Sequence, residues 1–149
     1  MSDNVYLGNP NLKKANTPIE WTEEMMVEFL KCKEDPVYFA KNHVKIVSLD
    51  EGLTQFEPYH FQEKLINNFH SNRFNICKMP RQTGKSTTVV SYLLHYAVFN
   101  DSVNIGILAN KAATARELLG RLQTAYENLP RWMQQGIIAW NKGSLELEN

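Results

Sequence analysis

The chain has 149 residues, 43% of them hydrophobic and 21% charged, and its 16 basic and 16 acidic side chains cancel to a formal net charge of zero. That length supports one hydrophobic core of ordinary size. The charge balance excludes a global electrostatic pull toward nucleic acid, so any DNA contact must rest on a local groove. The only cysteines, Cys32 and Cys77, are too few for a disulfide framework and read as reduced cytosolic thiols.

Residues 1–20 are rich in Asn, Pro and Lys with little periodicity and read as an extended arm. Its polar start (Asp3, Asn4, Asn9) has no charged-then-apolar leader, which leads us to expect a protein of the cytoplasm. Thr22 is placed to cap a helix with Glu23 and Glu24 in its first turn and Met25, Met26, Phe29 and Leu30 as its apolar face. Asp35 followed by Pro36 starts a second, shorter helix through Tyr38, Phe39 and Val44. The pair reads as two amphipathic helices packed onto the sheet edge; its alternative, a lid-like helical subdomain over residues 21–50, is what the family resemblance given below implies.

Ile46-Val47-Ser48-Leu49-Asp50-Glu51 looks like an apolar strand ending in an acidic pair, but Gly52 after it favours a surface turn. Next comes Phe56-Glu57-Pro58-Tyr59-His60-Phe61-Gln62, with Pro58 suited to a helix start. Helicase-type motors place a glutamine some two dozen residues before their phosphate loop, where its amide can donate to and accept from an adenine edge. Gln62 has that position, with Tyr59 or Phe61 available as a wall for the base; otherwise Gln62 is a polar residue on a surface helix.

The strongest signal is Met79-Pro80-Arg81-Gln82-Thr83-Gly84-Lys85-Ser86-Thr87, between an expected strand at Arg73–Lys78, with the apolar segment Phe74-Asn75-Ile76-Cys77, and a helical pattern from Lys85 to about Asn100. It reads as a phosphate-binding loop for ATP: Gly84 lets the backbone approach the phosphates, Lys85 reaches the β and γ oxygens, and the Ser86 hydroxyl ligates Mg²⁺. Gln82, Thr83 and Thr87 complete the set, and the helix N-terminus adds free N–H groups. The first glycine of the usual pattern is replaced by Met79, so the loop is expected to turn with ordinary dihedrals, helped by Pro80.

Val103 to Ala109 reads as a buried strand and Asn110 as the cap of a helix to about Asn128, whose Lys111, Arg116 and Arg121 form either a phosphate contact or a solvated face. Ile137 to Trp140 and Leu145 to Glu148 flank a turn at Asn141-Lys142-Gly143 and form a hairpin. Strand, helix, strand alternation after residue 57 predicts an α/β fold of the P-loop, RecA-like kind with a partial parallel sheet. The expected organisation is an arm at 1–20, helices at 21–50 and an incomplete P-loop ATPase core at 51–149. Unpaired sheet edges in that scheme point to a truncated, split or partial product. Val89 to Phe99, the longest apolar stretch, is too short to span a bilayer. His43, His60, His70 and His95 have no spacing that gathers a metal with Cys or carboxylates, and read as surface or satisfied core histidines.

The loop Arg81 to Ser86, the preceding Tyr59-His60-Phe61-Gln62, the opening Tyr6 to Asn16 (YLGNPNLKKAN) and the closing Trp140 to Leu147 (WNKGSLEL) together resemble the large terminase subunit of T-even-type bacteriophages. That family is the ATP-driven motor and nuclease that packages double-stranded DNA into a preformed capsid. The resemblance spans nearly the whole chain and covers only the front part of the family's ATPase domain. It implies a partnership with DNA, the portal protein and the small terminase subunit, assembly on the portal, and no membrane. It also makes Arg81 the candidate arginine finger, acting with Lys85 in catalysis. The alternative for Arg81 is an ion pair that holds the loop.

Hydrolysis also needs an Asp for Mg²⁺ and a Glu for the attacking water at the end of a later apolar strand. After the loop the acidic residues Asp101, Glu117, Glu127, Glu146 and Glu148 are never adjacent. The family's nuclease carboxylates are absent as well. This chain alone is therefore expected to be inactive in hydrolysis. A related helicase-type ATPase and a non-catalytic nucleotide- or partner-binding fragment are the alternatives.

Overall fold

The computed structural model describes residues 4–149. In chain order the elements are β1 (Val5–Tyr6), β2 (Asn9–Lys13), α1 (Glu23–Glu34), α2 (Pro36–His43), β3 (Lys45–Ser48), β4 (Gly52–Gln55), α3 (His60–Ser71), α4 (Lys85–Phe99), α5 (Ala112–Glu127), β5 (Ile137–Trp140) and β6 (Leu145–Leu147).

The local start signals act as their chemistry dictates. Thr22 accepts the Met25 amide at 3.2 Å, and Asp35 accepts those of Val37 and Tyr38 at 3.0 and 3.1 Å, with Pro36 supplying a fixed φ at the first helical position. Helix α5 is flanked by Lys111 rather than Asn110. The Asp50-Glu51 pair sits in the turn of the β3–β4 hairpin, fully on the surface, where Gly52 takes φ +71°.

The parallel RecA-like sheet does not form. Among the described residues, the six strands make three separate two-stranded antiparallel sheets, β1–β2, β3–β4 and β5–β6, and parallel pairing is confined to one bridge between Lys14 and Ile137. Residues 73–78 and 103–109, the two expected core strands, carry no ladder; Phe74 is 83% exposed, Ile76 100% and Leu108 92%. Alternating apolar residues set the local geometry of a strand, whereas a ladder needs a neighbour whose amides face it, and neither segment has one. Both segments instead line a cavity of about 740 Å³ over the Val89, Tyr92 and Tyr96 side of α4.

Helices take over the role of the missing sheet. Val90, Leu94, Val98 and Phe99 of α4 are buried among Cys32 of α1, Phe39 and Ala40 of α2, Ile66 of α3, and Leu122, Ala125 and Tyr126 of α5. Helices α1 and α2 thus share this core. Of the expected α1 face, Met26 and Leu30 are exposed and Phe29 packs inward, edge-on to Phe99 at 4.9 Å. The arm is a short hairpin bound to the far end of the chain: the Lys13 amide donates to Gln134 Oε1 at 3.0 Å and Gln134 Nε2 donates to the Asn11 carbonyl at 2.8 Å. Among the described residues, no helix is long and apolar enough to cross a membrane.

His95 lies at the centre of the helical core. Its Nε2 donates to the Cys32 carbonyl at 2.8 Å, its Nδ1 has no partner, and its ring packs on Phe39 and Phe99. Burial lowers its pKa from 6.5 to about 4, against the opposing effect of the Cys32 carbonyl. Because the folded-state pKa is depressed, the unfolded chain binds the extra proton as pH falls below 6.5, and folding loses stability from there down to about 4. Urea unfolding is expected to show a loss of about 2 kcal/mol between pH 7 and pH 5. His95→Phe should remove most of that slope. An equal slope in both proteins would locate the sensitivity elsewhere.

Candidate functional site

The loop at residues 79–84 delivers the chain into α4, and Gly84 is the hinge. It takes φ +73°, immediately before the first helical residue Lys85. A second left-handed position falls on Gln82, at φ +60°. The turn that Met79 was expected to make with ordinary dihedrals is thus made three residues later by a side chain that tolerates this region poorly. The Thr83 hydroxyl donates to the Pro80 carbonyl at 2.9 Å and closes the turn.

The Gly84 carbonyl is a junction. It accepts the Thr88 amide at 3.0 Å, the Thr88 hydroxyl at 2.8 Å and Gln62 Nε2 at 3.2 Å. Gln62 Nε2 also donates to Thr88 Oγ1 at 3.0 Å, while its Oε1 accepts the Tyr59 amide at 2.9 Å. The buried amide of Gln62 therefore has both its N–H donors committed inside the protein and locks the start of α3 onto the loop. Thr88, buried and next to the sequence-selected Thr87, is the loop residue that sequence reasoning missed. Its position one turn into α4, facing the Gly84 carbonyl, was the available signal.

Around this fixed backbone the charged groups stay uncommitted. Arg81 and Gln82 are exposed, while Thr83, Lys85, Ser86 and Thr87 are half-buried. Among the described residues, neither Arg81 nor Lys85 takes part in an ion pair. The first turn of α4 carries no acidic residue, so its amides and dipole are uncompensated at the same place. Tyr59 and Phe61 stand next to the Gln62 tie with rings 5.8 Å apart and 11° from parallel, 71% and 46% exposed. Cationic side chains, a helix N-terminus and an exposed aromatic pair are the chemistry of a nucleotide site.

On α5, Arg121 bonds Glu117 one turn away at 2.8 Å, as a solvated helix face does. Cys32 is buried and Cys77 half-buried, and both are free thiols. Sequence spacing gave no metal-gathering cluster, yet Glu28, Cys32 and His43 come together: their ligand atoms lie within 4.8 Å of one another. The His43 hydrogen bond at 2.8 Å holds the Glu28 carboxyl below its usual pKa, and burial pushes the Cys32 thiol up to about 12. The four-residue spacing of Glu28 and Cys32 was readable as one helix face; the return of His43 depends on the α1–α2 turn. No protein-family model matches the chain.

A methyl group on Gly84 would lie 2.5 Å from Gln62 Nε2, in addition to straining a left-handed backbone. Gly84→Ala is therefore expected to cost at least about 1 kcal/mol in urea unfolding. The cost should shrink in a Gln62→Ala background, which removes the clash but not the strain. Strict additivity of the two changes would show that they do not meet.

Proposed function

We propose that the chain is a nucleotide-binding segment of a phage terminase large subunit, the ATP-driven motor that packages double-stranded DNA into capsids. The supporting observation is the junction at Gly84: a left-handed glycine leads straight into a fifteen-residue helix, with Lys85 and Ser86 at its first two positions and no carboxylate in its first turn. In this reading the loop amides and Lys85 bind the triphosphate of ATP, Ser86 ligates Mg²⁺, and Gln82, Thr83 and Thr87 line the phosphates. Arg81 reaches toward the γ-phosphate as charge redistributes there. The stacked Tyr59 and Phe61 carry the base.

Gln62 is a positioning residue for both parts, since it fastens the base-carrying turn to the phosphate loop. The partners of this reading are double-stranded DNA, the portal protein and the small terminase subunit, in the host cytoplasm. Turnover requires an acidic pair that follows the loop, and the sequence after Lys85 has none. The chain by itself is accordingly a binder of Mg·ATP with negligible hydrolysis.

Calorimetry with Mg·ATP tests this directly. Lys85→Ala should abolish measurable binding, Arg81→Ala should leave it within a few-fold, and steady-state phosphate release should not exceed that of Lys85→Ala. Gln62→Ala should weaken ATP and GTP by the same factor, because the amide holds the loop; a loss confined to ATP would mean that it reads the base edge. Unimpaired Mg·ATP binding by Lys85→Ala would defeat the nucleotide reading. Robust turnover abolished by Asp50→Asn would move the catalytic acid to the β3–β4 turn.

A further inference from the structure

We propose that Glu28, Cys32 and His43 form a site for one divalent cation of the zinc class, which clips α1 to α2. Glu28 and Cys32 lie one turn apart on α1, and His43 is the last residue of α2. Glu28 Oε1 is 2.8 Å from His43 Nε2 and 3.9 Å from Cys32 Sγ, and the whole set falls within 4.8 Å. Tetrahedral zinc with its usual bond lengths holds a sulfur and a nitrogen ligand about 3.5 Å apart, so these side chains close around an ion with shifts of about 1 Å or less.

The donor set selects the metal. One thiolate, one imidazole and one carboxylate suit zinc and its softer relatives, whereas Mg²⁺ and Ca²⁺ take oxygen ligands. The surroundings hold the donors in place. Tyr38 Oη donates to the Glu28 carboxylate, 3.0 Å from each oxygen, and His95 Nε2 fixes the carbonyl of Cys32. Glu28 and His43 are half-buried, which leaves an approach from solvent and room for water as a fourth ligand. On binding, a metal–sulfur bond replaces the Cys32 S–H bond and the thiol proton passes to solvent. The proton that His43 Nε2 shares with Glu28 leaves to solvent, and the ring is left neutral with its remaining proton on Nδ1; the hydrogen bond thereby gives way to one bond from each side chain to the ion.

The test uses the full chain, reduced and stripped with a chelator. Co²⁺ serves as the spectroscopic probe and Zn²⁺ as its competitor. The expected result is one ion per chain, a thiolate-to-cobalt charge-transfer band that Zn²⁺ extinguishes, and a melting temperature raised by Zn²⁺. Cys32→Ser should remove the band, and His43→Gln should weaken Zn²⁺ by about tenfold or more. Cys77→Ser should change neither. Absence of stoichiometric binding, a band that survives Cys32→Ser or is lost with Cys77→Ser, or a Zn²⁺ affinity unmoved by His43→Gln would each overturn the assignment and leave the cluster as a hydrogen-bonded triad.

Discussion

Burial of one side of α4 is the constraint on which the rest of the molecule depends. Helices α2, α3 and α5 all pack against it, and α1 reaches it through Phe29 and through Cys32, whose carbonyl receives the His95 proton. A helix held on several sides cannot tilt without breaking close-packed contacts around it. Its N-terminus is therefore a fixed point in space, and the loop at residues 79–84 inherits that fixity. The three bonds to the Gly84 carbonyl extend the same rigidity one residue upstream.

Electrostatic preference follows from what is left out of this arrangement. Among the described residues, Arg81 and Lys85 beside the helix N-terminus have no carboxylate partner, a condition they share with most of the basic side chains. Exposed ion pairs contribute little to stability, so pairing these two cations would have gained the fold almost nothing. Leaving them free concentrates positive potential where backbone amides already point outward. A local site of this kind is compatible with a chain of zero net charge.

Features governed by residues close in sequence were legible. The Thr22 and Asp35 caps, the extent of α4, the hairpin that ends in β6 and the surface turn at Gly52 each depend on a few neighbouring side chains, and each lies where the residue types require. The helix start after Gly84 was legible for the same reason, whereas the left-handed turn at Gln82 was not. The long-range hydrogen bonds of Gln62 were not legible: its side-chain amide ties to the Gly84 carbonyl and to Thr88 of α4, more than twenty positions away.

Both large divergences from the sequence reading are non-local. Residues 103–109 read as a buried strand, and Val103, Ile105 and Ile107 at every second position are turned inward while Asn104, Gly106 and Leu108 are exposed. That pattern specifies which side chains face the protein; it says nothing about which backbone lies alongside. With α4 and α5 covering the available apolar faces, the inward side chains find burial against helix and cavity walls without a ladder. The same logic explains the Glu28, Cys32 and His43 cluster. Metal-ligand spacing rules assume that one local motif supplies the donors, whereas here a turn between two helices folds the third donor back onto the first two. What brings His43 home is the Asp35–Pro36 helix start, and its consequence is visible only once α2 has a direction.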